Sequence, residues 1–335
     1  MKTFFHPDQL LHAPVQELHN GGFVPFAEVP ARAAAILAAV GDPVLPRDAG
    51  MAPIAAVHDG DYLAFLQVAH RDWLAAGRHG DAHGYAWPVV RRRALSLDRI
   101  DARLGRFSMD ASTPIAPGSW TSAYWGAQSA LGALGAVLGG DPAAFALCRP
   151  PGHHAGRDYL GGYCFLNNAA IAAEAATAAG RRVAILDVDY HHGNGTQDIF
   201  WDRGDVFFAS IHADPRTDYP FFWGHADEVG ERAGAGATLN LPLPQGTDWT
   251  QYRPALDRAL SAIRAFGADL MVVSFGADTF AGDPISQFRI ETADYRAMAR
   301  QIAAAGMPML VVMEGGYAVD ALGANVAAFL EGMGG

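Results

Sequence analysis

The sequence predicts one α/β domain whose mostly parallel sheet is flanked by helices, and three observations carry that expectation. Short β-branched, apolar runs alternate with Ala-rich amphipathic stretches, the pattern of successive βαβ units. Most of the apolar runs end in a short polar segment rich in Gly, Asp and His. No internal repeat and no linker divides the 335 residues, so a single domain spanning 1–335 is expected.

Strands are predicted at 53–57 (PIAAV), 143–148 (AAFALC), 182–189 (RVAILDVD), 205–212 (DVFFASIH), 237–243 (ATLNLPL), 268–275 (ADLMVVSF) and 308–314 (PMLVVME). Helices are predicted at 29–40, 60–76, 119–138, 167–179, 250–266 and 292–305. The segment 78–118, from RHGDAHGYAWP through RRR to MDASTPIAPG, reads as an insertion, and an excursion of that length in a compact domain is more often functional than idle. RPPGHH, DYHHGNGT, HADP, FGADTFAGDP and EGGY all follow strands. Open α/β sheets bind ligands outside the carboxyl ends of their strands, so these segments are expected to converge on one rim.

Composition narrows the class. Half the residues are hydrophobic, 18% are charged, and 38 Gly with 20 Pro suit a compact enzyme with many tight turns. The first residues, MKTFFHPDQ, lack the pattern of a secretion signal, and no run reaches the roughly 20 apolar residues of a membrane span, so a cytoplasmic protein with no membrane partner is expected. Cys148 and Cys164 are too few for a disulfide framework and read as free thiols of a reducing compartment. A net charge of −11 disfavours nucleic acid and favours cationic partners.

The chemistry-bearing residues cluster at the strand ends. In Asp187-Val188-Asp189-Tyr190-His191, period-two alternation puts the three polar side chains on one side. With Asp278 of GAD, Asp189 and His191 give two carboxylates and an imidazole, three ligands that leave an open position, as catalytic metal sites do. Zinc is the first expectation; an N/O set also accepts Fe(II) or Co(II). Asp187 is expected to orient a histidine or to help hold a monovalent cation. His153 and His154, on a loop stiffened by Pro150 and Pro151, suit acid-base work near neutrality. Tyr163 is placed as an aromatic wall, and Tyr317, after Gly315-Gly316, as a donor to a developing oxyanion.

RPPGHHA, GGYCFLNN, LDVDYHHGNGTQ, GADTFAGDP and EGGY, in this order and spacing, resemble the histone deacetylase and acetylpolyamine amidohydrolase superfamily over essentially the whole chain, which implies the arginase-deacetylase fold. The resemblance implies Asp189, His191 and Asp278 as zinc ligands, His154 as general base and acid with His153 as its electrostatic partner, and Tyr317 as carbonyl polariser. It also implies an acyl tunnel walled by Tyr163 and Phe222, a backbone contact from Gly162, and a structural potassium site at Asp187, Asp189, His191 and Ser210. Asn194 stands where many histone deacetylases have an Asp beside the base, and Glu314 replaces a glycine; both features, with the long 78–118 segment, resemble the bacterial polyamine-type branch.

The function expected is zinc-dependent removal of acetyl groups from acetylputrescine, acetylcadaverine or acetylspermidine. Asp101 is expected at the entrance as a reader of the distal ammonium, with Asp110 and Glu314 adding to its field. A homodimer is expected, with the 78–118 segment, including Trp87, Phe107 and Met109, at the contact or channel wall. The alternatives are a broader acetyl-lysine or acylamide deacetylase and a non-catalytic ligand-binding relative. A dimanganese ureohydrolase would need more bridging carboxylates than the DVDYHH segment offers.

Overall fold

The computed structural model describes residues 1–88 and 97–334. In chain order the elements are β1 (Lys2–Phe4), β2 (Gln16–His19), β3 (Gly22–Pro25), α1 (Ala31–Val40), α2 (Ala52–Ala55), α3 (Gly60–Ala75), α4 (Ile100–Phe107), α5 (Ser119–Leu138), β4 (Ala143–Ala146), α6 (Asn168–Ala178), β5 (Val183–Asp187), α7 (Asn194–Phe200), β6 (Val206–Ala213), β7 (Thr238–Leu243), α8 (Trp249–Phe266), β8 (Leu270–Phe275), α9 (Thr292–Ala303), β9 (Met309–Met313) and α10 (Val319–Gly332). Seven strands form one sheet in the order β1-β4-β9-β8-β5-β6-β7, and every pairing in it is parallel.

Both faces of a parallel sheet are covered, which is why its strands read as unbroken apolar runs. Along β5, Val183 and Ile185 enter one core with residues of α3, α4, α5 and α6, while Ala184 and Leu186 enter a second core with α1, α8, α9 and α10. The result is three layers, and the Ala-rich faces of α5 and α6 let those helices lie close to the sheet. α8 starts at a capping box, in which Asp248 accepts from the Gln251 amide and Gln251 answers the Asp248 amide, and it stops at Gly267 in the left-handed region.

From β5 the chain proceeds to β6 and β7 on one side and returns through β8 and β9 on the other. The crevice at this reversal lies between the carboxyl ends of β5 and β8, where ligands of open α/β sheets sit.

Several elements differ from expectation. PIAAV lies not in a strand but at the short helix α2, which Pro53 opens in its first turn. β1 and the β2–β3 hairpin were not expected, nor were α4, α7 and α10. The 78–118 segment is tied into the domain: Ala82 and Ile115 exchange backbone hydrogen bonds of 2.9 and 3.0 Å, and Phe107 is core, stacked on Phe65 at 4.8 Å. Its RRR run, at 91–93, lies outside the described residues.

Candidate active site

Four strand ends meet around the crevice. Beyond β5, the Asp189 carboxylate accepts from the His191 amide (2.9 Å) and the Gly315 amide (2.9 Å), and beyond β8 the Asp278 carboxylate accepts from the Tyr190 amide (3.0 Å). His191 Nδ1 then lies 3.1 Å from Asp278 Oδ2 and 3.4 Å from Asp189 Oδ1. One donor atom from each of the three falls within 4.8 Å of the others, spacing that fits a single cation.

The electrostatics agree. Burial alone would hold His191 neutral, but Asp189 and Asp278 outweigh it and push its imidazolium up to about 10. Burial and the neighbouring Asp189 raise Asp278 to about 7. Positive charge is thus favoured at the centre of the cluster. His153, Cys164 and Glu314 are equally close to one another, but both Glu314 oxygens are already taken by protein donors.

The paired histidines lie against this cluster. His153 Nδ1 is 3.0 Å from Asp187 Oδ2, and Asp189 and Asp187 overcome the burial penalty to push His153 up to about 10. His154 Nδ1 is 2.6 Å from Asn194 Oδ1. Burial, with the cationic fields of His153 and His191, holds His154 well below the usual histidine range, so it stays a neutral imidazole able to take a proton. The wholly buried Glu314 accepts from the Gly152 amide (2.6 Å), the His153 amide (3.1 Å) and the Ser274 hydroxyl (3.0 Å), which pins the histidine loop to the end of β9.

His154, Gly162, Tyr163, His191, Tyr219 and Tyr317 line one cavity of about 360 Å³. Arg32, buried, donates to the Gly316 (2.6 Å) and Glu314 (2.7 Å) carbonyls, and its guanidinium lies 4.8 Å from the centre of the Tyr317 ring. Burial raises the Tyr317 phenol well above its usual value, although Arg32 pulls the other way, so it remains a donor. Gly162 has φ +52° and a Cβ there would lie 2.1 Å from His154, so both its conformation and its neighbour require glycine.

The structure thus brings together Asp187, Asp189, His191, Asp278, His153, His154, Asn194, Gly162, Tyr163 and Tyr317. Ser210 pairs in register with Asp187, but its hydroxyl is engaged by His212 Nδ1 at 2.8 Å. Three expectations are corrected. Phe222 is 79% exposed; Tyr219, whose hydroxyl donates to Asp110 (2.8 Å), and Phe221 line the cavity with Tyr163 in its place. Asp101 lies outside this cavity, its carboxylate held by Arg78 (2.9 Å) and Arg99 (2.8 Å) beside a separate cavity of about 410 Å³. Glu314 sits behind the histidine loop, not at the entrance.

Sequence reasoning missed Tyr219, Arg32 and Glu17. Glu17, brought in by the β2–β3 hairpin, is buried and accepts from the Tyr163 hydroxyl at 2.8 Å. Its signal was Asn20-Gly21, a hairpin turn in which both residues have positive φ. Asp110 accepts from the Gly162 amide (2.7 Å) as well as from Tyr219.

A parallel three-layer sheet that carries two carboxylates and an imidazole beside a paired-histidine loop has the makings of a metal-dependent hydrolase. The chain belongs to the histone deacetylase family, whose domain matches residues 26–333, and is a deacetylase. It is 50% identical to "Acetylpolyamine amidohydrolase 2" of Pseudomonas aeruginosa, over 99% of this chain and 98% of that protein. It is 48% identical to "Acetylpolyamine amidohydrolase" of Mycoplana ramosa, over 100% of both. The crystal structure of an acetylpolyamine aminohydrolase from Burkholderia pseudomallei superposes with a TM-score of 0.96 at 44% identity, covering 100% of this chain and 98% of that one. Among the described residues, no helix is long and apolar enough to cross a membrane.

Proposed function

We propose that the chain is a zinc-dependent amidohydrolase that removes acetyl groups from acetylated polyamines such as acetylputrescine, acetylcadaverine and acetylspermidine. The observation that carries the reading is one cavity of about 360 Å³ in which a proton acceptor, a phenol donor and the metal-fitting cluster face each other. Near-full-length likeness to proteins named for acetylpolyamines supports the substrate class. So do the carboxylates of Glu17, Asp110 and Asp218 at or behind the cavity walls.

Asp189, His191 and Asp278 would hold the zinc, and Asp187 with Ser210 a potassium ion. The zinc supplies Lewis acidity to the acetyl carbonyl and to the attacking water. His154 Nε2 takes the proton of that water, with Nδ1 held by Asn194, and later returns it to the leaving amine. Tyr317 donates its hydroxyl to the carbonyl oxygen as charge develops there. His153, an imidazolium against Asp187, favours that negative charge. Tyr163 and Tyr219 confine the acyl chain. Acetate and a free amine leave.

We read the chain as one cytoplasmic domain, with both thiols buried, that forms a homodimer through the 78–118 segment, where Tyr85 and Trp87 are exposed apolar side chains. Acetate release by the zinc-loaded protein tests the activity. A charge-assisted contact of about 1.5–3 kcal/mol predicts at least about tenfold higher kcat/KM for acetylputrescine or acetylcadaverine than for a neutral acetylated alkylamine of equal length. Equal values for the two, or a preference for acetyl-lysine peptides, would sink the polyamine reading; activity that survives complete chelation would sink the metal. Sedimentation as a monomer at micromolar concentration would exclude the dimer.

A further inference from the structure

Asn194 opens α7 and Asp198 follows one turn later on the same face. Tyr159 bridges them. Its hydroxyl donates to Asp198 Oδ2 at 2.6 Å and accepts from Asn194 Nδ2 at 3.3 Å. The ring is seated over Gly156, where a Cβ would come within 2.2 Å of it, and stacks on Trp223 with 6.5 Å between centroids. Burial raises Asp198 to about 6 against the hydrogen bonds it accepts from Tyr159 and Trp223, so above that pH it is chiefly an ionised acceptor.

An amide beside a histidine poses a problem that a carboxylate does not. Asn194 Oδ1 can accept from Nδ1–H, which leaves His154 Nε2 bare and able to take a proton. The reversed amide would donate to a bare Nδ1, which puts the hydrogen on Nε2 and blocks the base. The isolated pair has no reason to prefer the first arrangement. Of the other acceptors that Asn194 Nδ2 meets, Met109 Sδ at 3.2 Å is a weak thioether and the His154 carbonyl is 3.5 Å away. Tyr159 discriminates: its proton is committed to Asp198, so it faces Asn194 with a lone pair, and only the NH₂ end can approach.

We propose that Tyr159 and Asp198 are positioning residues that fix the orientation of the Asn194 amide and thereby the tautomer of His154. This rests on the reading of His154 as the proton-transfer group. Asp198 also accepts from Trp223, but its influence on the Asn194 amide runs through the Tyr159 hydroxyl, so the two substitutions have an unusual rank. In Asp198→Ala the freed hydroxyl can donate to Asn194 Oδ1 and favours the reversed amide, which lowers kcat about tenfold; Tyr159→Phe only removes the preference and lowers kcat about threefold.

The double variant should return to the Tyr159→Phe level. With Asn194→Asp, which accepts from Nδ1–H in either orientation, kcat should no longer respond to either substitution. Throughout, KM and bound metal should stay unchanged in the zinc-loaded enzyme. Unchanged kcat in Asp198→Ala, additive losses in the double variant, or continued sensitivity in the Asn194→Asp background would each overturn the proposal. If a variant fails to fold, nitrogen NMR of the histidine rings in the unsubstituted protein decides: the proposal requires Nδ1–H on His154, and an Nε2–H tautomer overturns it. Full activity in His154→Ala would instead remove the reading on which the proposal rests.

Discussion

With no exposed surface, Glu314 gathers two backbone N–H groups and a hydroxyl whose other partners would be water they cannot reach. Removing it strands these donors, and buried unpaired groups cost about 1–3 kcal/mol each. Glu314→Ala is therefore expected to lose about 2–4 kcal/mol in urea unfolding, while Glu314→Gln, which keeps an acceptor for the amides and a donor for Ser274, loses less than half of that. Equal losses in both would mean that the charge, not the acceptor geometry, matters. The residue was visible in EGGY, but its direction was not, because a motif fixes neighbours in sequence and not which side of the loop faces solvent. The same holds in YPFFWG, where four aromatic side chains compete for one wall: Tyr219 turns inward because Asp110, 109 positions away, accepts its hydroxyl.

At the scale of elements, the strands that carry the site were legible because each is buried on both faces and so apolar throughout, and the polar residues begin where the strand leaves the cores. The metal-fitting residues were legible for the same reason. The hairpin was not, since β3 is exposed along its length and offers no apolar alternation to read. The turns after the strands are tighter than the motif implies. At Gly276 an added Cβ would stand 1.9 Å from Asp189 Oδ2 and 2.7 Å from Asp278 Oδ1. Gly276→Ala must push both carboxylates aside, so it should lower zinc per chain after dialysis while leaving the secondary structure by circular dichroism unchanged. A full complement of tightly held zinc in this variant would show that Asp189 and Asp278 do not hold the metal together.

For the molecule as a whole, the interior encloses not only apolar groups but histidines that the proposed chemistry does not use. His58 is buried, its Nε2 accepts from the Asn167 amide (2.9 Å), and burial lowers its pKa to about 4; burial does the same to His212. The folded-state values lie below the unfolded value of about 6.5. At pH above 6.5 neither state binds the proton and nothing is lost. Between 6.5 and about 4 the unfolded chain takes protons that the folded chain refuses, so stability falls as the pH falls, by up to about 1.4 kcal/mol per pH unit for each such group. Buried carboxylates with raised values, Asp278 and Glu314 among them, work in the opposite direction over part of this range, so the net slope is not diagnostic. The difference between two proteins is. His58→Gln offers the Asn167 amide an oxygen acceptor and has nothing to titrate. Its unfolding free energy, followed by urea titration from pH 7 to pH 4.5, should fall less steeply than that of the unsubstituted chain by about one proton's worth, whatever the offset at pH 7. Parallel curves would mean that His58 takes up its proton in the folded state, and with it that the core around Asn167 admits charge.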